Sequence, residues 1–393
     1  MASRIIKPGI YFTGVMDWDR RLFDEIIPLP YGTSYNSYIV QGNEKTALID
    51  TADPSKKKEF LNNINSTNLK IDYIISHHAE QDHSGLIPLV LEMYPNAKVL
   101  TSPKCMELLK DLHRIKDEKF VTVEDGETIS LGDKTLRFIY TPWVHWPDTM
   151  VTYLEEDKIL FSCDFFGSHL ATSDLFVQDE HLAYSAAKKY YAEIMMPFRI
   201  FIRKNMEKIK GLQIEMVAPS HGPIYNKPDT IFKAYNDWIS DETKNEVIIP
   251  YVSMHGSTKE IVDYLVDILI AKGITVKPFN LTNSDIGELA SSMVDASTLV
   301  LATPTVLTGP HPSAVYAAYL VNALRPKLKF ISIMGSYGWG GRTVDLLKGM
   351  LTNIKAETID PVVFKGFPTE EDFKKVDKLA EEIIKKHKEQ KLI

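Results

Sequence analysis

The chain has 393 residues, 44% of them hydrophobic and 25% charged, with a formal net charge of -7. That length allows two or three domains, each with its own core, and the acidic balance argues against nucleic acid as the main partner, because phosphate recognition rests on clustered Lys and Arg. Cys105 and Cys163 are the only cysteines and form no CxxC, which excludes a readable disulfide framework or cysteine-ligated cluster and points to a reducing, cytoplasmic setting.

The opening "MASRIIKPGIYFTG" lacks the apolar stretch of a signal peptide, and no later run approaches the roughly 18 apolar residues of a membrane span. A soluble protein is expected. The first 240 or so residues read as short strands with scattered helices. "NSYIVQGNEKTALID" carries two apolar runs around a turn, a hairpin signal, and "KIDYIIS", "AKVLTS", "KTLRFIY", "MVTYL" and "KILFSC" are further strand-like runs. Mostly antiparallel strands with interspersed helices suggest a layered sandwich.

Directly after "IDYIIS" comes "HHAEQDHSG", residues 77–85. It contains H-x-E-x-D-H, that is His78, Glu80, Asp82 and His83. Donors so closely spaced on one turn can reach two metals when other segments complete each shell. Such segments follow, each after an apolar run: His145 in "TPWVHWPDT", Asp164 in "LFSCDFFG" and His221 in "APSHGP". Imidazole-rich tetrahedral sites suit zinc, whereas mixed carboxylate and imidazole sites with open positions suit iron, so Glu80 is the informative residue. His77 lies outside the motif and is expected to pack nearby without ligating. Asp50, closing "ALID", is expected to accept a hydrogen bond from a ligand histidine. His113, His181 and His387 have no matching context and are expected at the surface.

The polar stretch "SDETKNE", residues 240–246, is the expected linker between domains 1–243 and 244–393. Beyond it, β-rich runs ("VIIPYVS", "ITVKPFN", "STLVLATP", "LKFISIMG") alternate with helical patterns, which indicates a parallel sheet covered on both faces. The closing segment, with Phe373, Val376, Leu379, Ile383 and Ile384 at helical spacing, is expected to pack on that sheet. Three loops would converge at the carboxyl ends of these strands, where doubly wound sheets bind ligands. The first is Ser253, Met254, His255, Gly256, Ser257 and Thr258, with small residues at a helix start suited to a phosphate. The second is Pro304, Thr305, Val306, Leu307, Thr308 and Gly309; the third is Ser336, Tyr337, Gly338, Trp339 and Gly340. No G-x-G-x-x-G follows a strand, so electrons are expected from a separate donor and not from a built-in NAD(P)H domain.

The ligand-type set resembles the metallo-β-lactamase fold, in which H-x-H-x-D-H, a later His, a bridging Asp and a final His hold two metals. With Glu80 it resembles the flavodiiron proteins in particular, and the second half resembles flavodoxin, so the match spans essentially the whole chain. The resemblance implies a metallo-β-lactamase-like αββα sandwich followed by a flavodoxin-like doubly wound sheet. It implies one iron at His78, Glu80 and His145, the other at Asp82, His83 and His221, and Asp164 bridging. It further implies FMN in the three loops, its phosphate at Ser253 to Thr258 and Trp339 stacked on its ring, and proton donors among His169, Tyr190 and Tyr191. The implied activity is reduction of O2 to water, of NO to N2O, or both, with electrons from a rubredoxin or a reduced deazaflavin relayed by FMN. The implied assembly is a head-to-tail homodimer or a dimer of such dimers. Two other readings stand beside it: a dinuclear zinc hydrolase with a regulatory flavodoxin domain, against which Glu80 speaks, and an electron carrier whose first domain is a scaffold.

Overall fold

The structure, a computed structural model, describes residues 3–393. It divides into two compact units: one runs to Tyr191 and takes up Phe198–Ile239, and the other comprises Ala192–Pro197 and Ser240–Ile393. The second unit therefore begins before the expected linker ends. The strand Lys244–Tyr251 already starts inside "SDETKNE", because Lys244 donates its amide to the Asp295 carbonyl.

In the first unit two mixed sheets stack face to face. One runs, in spatial order, through Arg4–Lys7, Ile10–Phe12, Tyr38–Gln41, Thr46–Ile49, Tyr73–Ile75, Lys98–Thr101 and Phe120–Thr122. The first four are antiparallel neighbours; the last three are added in parallel. The other sheet runs through Thr128–Ser130, Thr135–Tyr140, Met150–Leu154, Ile159–Cys163 and Met216–Pro219.

Strand alternation decides which side chains meet. Tyr38, Val40, Ala47, Ile49, Ile75 and Leu100 face Leu136, Phe138, Met150, Leu154, Ile159 and Phe161 between the sheets. The intervening Ile39, Leu48, Ile74 and Val99 point outward and are covered by Phe60, Ile64, Ile87, Val90 and Leu109 of the flanking helices. This is the layered sandwich the sequence pattern implied.

The second unit is a parallel sheet in the order Thr275–Asn280, Lys244–Tyr251, Ala296–Val306, Phe330–Tyr337, then Glu357–Thr358 and Val362–Lys365. Numbered by sequence, that order is 2-1-3-4-5, the flavodoxin-like arrangement. Val247, Ile249, Val300 and Met334 form one core with Ile261, Leu265 and Leu269 of the helix Ser257–Ala271 and with Val376, Leu379 and Ile383 of the helix Glu370–Glu389. The third strand is longer than "STLVLATP" suggested. It continues to Val306 and turns back, pairing Thr305 with Pro310 and Val306 with Gly309, since Thr and Val favour extended backbone.

Among the described residues no helix is long and apolar enough to cross a membrane. Two of the expected surface histidines are not at the surface. His387 is fully buried, its Nδ1 2.8 Å from Asn245 Oδ1 and its Nε2 2.8 Å from Thr298 Oγ1. His113 is half-buried, with Nε2 2.8 Å from Ser84 Oγ. His181 is exposed.

Candidate functional site

In the first unit the site lies where strands of both sheets end. The strand Tyr73–Ile75 runs into His77 and His78; Glu80 precedes the single turn Gln81–Ser84, which carries Asp82 and His83. Asp164 follows the strand Ile159–Cys163, and His221 follows Met216–Pro219. Cys163 sits at φ +52 and Gly222 at φ +80, so the chain leaves both strands through left-handed backbone next to a site residue. At Gly222 a Cβ would stand 2.1 Å from Ser168 Oγ, which leaves glycine as the residue that fits.

All seven residues of the expected ligand set converge, in two groups. His78, Glu80, His145 and Asp164 bring one ligand atom each within 4.8 Å of one another, as do Asp82, His83 and His221. Glu80 Oε2 is 3.0 Å from His78 Nε2 and 3.2 Å from His145 Nε2. Asp82 lies 3.4 Å from His83 Nε2 through Oδ1 and 3.1 Å from His221 Nε2 through Oδ2. Asp164 divides its oxygens: Oδ2 is 3.5 Å from His145 and 3.8 Å from His78, while Oδ1 is 3.1 Å from His83 and 3.4 Å from His221.

These contacts are short, yet Asp82 Oδ1 and Oδ2, both Asp164 oxygens, His83 Nε2 and His221 Nε2 are buried with no hydrogen-bond partner. Some of these pairs lie as close as 3.1 Å without forming a hydrogen bond. The atoms therefore aim at shared points between them, which is how ligands around a metal are arranged. Burial works against charging these rings, but the facing carboxylates raise the pKa of His78, His83 and His145 to about 10. Two buried carboxylates, Asp82 and Asp164, and the partly exposed Glu80 call for positive charge, and two metal ions fit that need. The donor set fits iron better than zinc, because carboxylates make up three of its seven members.

The residues around this cluster differ from expectation in three respects. Asp50 does not orient a ligand: it accepts His77 N–H at 2.9 Å and lies 2.7 Å from His77 Nδ1, while His77 Nε2 is 2.7 Å from Thr152 Oγ1. His77 is thus a buried tie between sheets, and the carboxylate facing His78, one of the expected ligands, is Asp148, which sequence reasoning missed. The two tyrosines also diverge. Tyr190 packs 4.9 Å from His169 and 5.9 Å from His221, whereas the Tyr191 hydroxyl donates to the Trp238 carbonyl at 3.3 Å and its ring packs against Tyr235 and Trp238. Successive helical positions are about 100° apart, so only one of the pair can face the site.

His169 is buried, with Nδ1 2.9 Å from Thr33 Oγ1 and Nε2 unpartnered. Burial, then the neighbouring His221, holds its pKa well below the usual imidazole value. Phe23, from the small hairpin Leu22–Phe23 with Ile27–Pro28, lies 4.7 Å from His169 and 6.0 Å from His221. No spacing rule pointed to it.

In the second unit a cavity of about 340 Å³ opens at the carboxyl ends of the strands, lined by Met254, His255, Ser257, Pro304, Thr305, Ser336, Tyr337 and Gly338 together with Gly366 and Phe367, which the sequence reading omitted. The helix Ser257–Ala271 starts after Gly256, at φ +90, with no side-chain cap. Ser253 Oγ takes the Lys259 amide at 3.2 Å, leaving the amides at Ser257 and Thr258 to an anion. Thr258 Oγ1 lies 3.1 Å from Ser336 Oγ, which joins the first and third loops. These features fit a phosphate-bearing flavin. Gly340 lines a smaller adjoining cavity of about 220 Å³. Val306, Leu307, Thr308 and Gly309 form the hairpin beside the main cavity without lining it, with Leu307 at its exposed tip. Trp339 is also outside the lining and is 82% exposed, a free aromatic face.

A profile of the ODP family beta lactamase matches residues 33–222. The chain is 36% identical to the nitric oxide reductase of Moorella thermoacetica, over 96% of this chain and 97% of that protein. It is 33% identical to the coenzyme F420H(2) oxidase of Methanothermobacter marburgensis, over 89% and 90% respectively. Among solved structures, rubredoxin oxygen:oxidoreductase from Desulfovibrio gigas superposes with a TM-score of 0.95 at 31% identity, covering 100% of both chains.

Proposed function

The chain belongs to the flavodiiron proteins, and on that premise we propose that it is an oxidoreductase that reduces O2 to water, NO to N2O, or both, using FMN and two iron ions. The observation that carries this reading is the division of Asp164, whose two oxygens face different histidine groups. A carboxylate so placed suits a bridge between two metals. In this reading the first unit holds the irons, one at His78, Glu80 and His145 and the other at Asp82, His83 and His221, and the second unit holds FMN. Rubredoxin or a reduced deazaflavin such as coenzyme F420H2 supplies the electrons. The protein acts in the cytoplasm as a head-to-tail homodimer.

When bound, the irons supply open positions for a diatomic gas and, with the flavin, the electrons for its reduction. Either reduction consumes one proton per electron, and the chain's own residues supply and manage those protons. Burial and then the Asp164 and Asp82 carboxylates push the Tyr190 phenol well above its ordinary pKa, so it keeps its proton and offers a hydroxyl hydrogen bond beside His169. His169 is neutral, its Nδ1 2.9 Å from Thr33 Oγ1 and its Nε2 without a hydrogen-bond partner, so one ring proton is available beside His221 and Tyr190. Phe23 and Tyr190 flank His169 and limit water there.

Steady-state consumption of O2 and of NO, measured separately on iron- and FMN-loaded protein with a reduced rubredoxin, tests the proposal. Turnover of at least one gas is expected. Consumption of neither overturns it, and protein that takes up zinc with no iron revives the hydrolase reading.

A further inference from the structure

His78 and His83 arise from one short stretch but are held differently at the ring nitrogen that faces away from the cluster. His83 Nδ1 has no hydrogen-bond partner among the described residues. His221 Nδ1 donates to the Ser34 carbonyl at 2.6 Å. His78 Nδ1 instead lies 3.3 and 3.5 Å from the two oxygens of Asp148.

Asp148 is itself anchored. It is 2% exposed, its Oδ2 accepts the Ala79 amide at 2.9 Å, and its backbone carbonyl accepts the Ser102 hydroxyl at 3.1 Å. Ala79 stands between His78 and Glu80, so one carboxylate grips both the ring and the backbone of the turn that presents them. A carboxylate only accepts, so the proton of a neutral His78 sits on Nδ1. Nε2 is then left with its lone pair for a metal, and it is the atom that faces Glu80 Oε2 at 3.0 Å and Asp164 Oδ2 at 3.8 Å. An imidazole hydrogen-bonded to a carboxylate is a more basic ligand than one bonded to a carbonyl or to nothing.

We infer that Asp148 is a positioning residue that, through His78, makes the iron at His78, Glu80 and His145 the more firmly held and more electron-rich of the two. The inference rests on the flavodiiron reading of the cluster. It reaches beyond the ligand set because the motif spacing contains no position for Asp148.

The test is Asp148→Asn, which keeps the volume and an acceptor for the Ala79 amide but removes the charge. Chelator-driven iron release, the EPR signal of the half-reduced centre, the unfolding midpoint and the FMN content are compared with those of the unaltered holoprotein. One iron of the two is expected to be held 10–100-fold more weakly, with a shifted EPR signal, full FMN content and, once both proteins are stripped of iron, the same unfolding midpoint. Release of both irons at the original rate with an unchanged signal overturns the inference. So does loss of both irons together with a lowered midpoint of the iron-free protein, which marks a merely structural role.

Should the variant fail to fold, partial chelation of the unaltered protein followed by anomalous diffraction locates the remaining iron. Iron at His78, Glu80 and His145 is expected, and iron at Asp82, His83 and His221 overturns the claim. If the unaltered protein takes up zinc alone, the flavodiiron reading fails, and the same comparison run with zinc still decides whether Asp148 strengthens its half of the site.

Discussion

Both ring nitrogens of His77 are engaged, one with Asp50 and one with Thr152, and the ring is fully buried. Asp50 also meets the Ser220 hydroxyl at 3.5 Å, so this group ties together the strand ends that carry His78 and His221. Replacing His77 with Ala leaves the buried Asp50 carboxyl without its ring partner. A loss of about 3 kcal/mol or more is expected in urea unfolding of the first unit, with iron content falling in parallel. Glu80→His tests the residue that distinguished iron from zinc: metal analysis of protein produced with both metals available is expected to show zinc displacing iron, and unchanged iron content and gas consumption would refute that role. At this scale the convergence of the seven proposed ligands was legible because metal chemistry demands particular side chains at particular strand ends. Asp148 was not, because a carboxylate two residues after a tryptophan has no signature until folding brings it to His78.

Element boundaries carry their own test. The turn at Leu307 and Thr308 places both residues at positive φ, +49 and +67, which a β-branched Thr tolerates poorly. Thr308→Gly relieves about 1–2 kcal/mol of backbone strain against about 0.5–1 of added chain entropy. The second unit is therefore expected to gain about 0.5–1 kcal/mol in thermal or denaturant unfolding, and a loss would show that other contacts hold the turn. The helix Glu370–Glu389 offers a second case. Burial lowers the pKa of its His387 to about 4, so the ring is neutral in the fold, while in the unfolded chain it takes up a proton below about 6.5. The stabilisation is then complete above about pH 6.5 and lost progressively toward pH 4, by about 3 kcal/mol at the limit. His387→Gln is expected to flatten that part of the stability profile of the second unit. The helix itself was readable from its apolar spacing; the burial of His387 near its end was not, because the same spacing suits a surface histidine.

For the whole molecule, ligand removal is expected to act unit by unit, since a ligand stabilises only the state that binds it. Chelating iron should lower the unfolding midpoint of the first unit, and stripping FMN should lower that of the second. A drop in the second midpoint on iron removal, with FMN retained, would count against the proposed allocation of cofactors. The sequence by itself determined the two layered architectures and the seven-residue donor set, because hydrophobic periodicity and side-chain chemistry are local properties of the chain. The tertiary structure alone decided which oxygen of Asp164 faces which histidines, which of Tyr190 and Tyr191 enters the site, and that Asp148 and Phe23 belong to it. Those relations join residues far apart in the chain, and their geometry comes into being only when the two sheets pack and their strand ends meet.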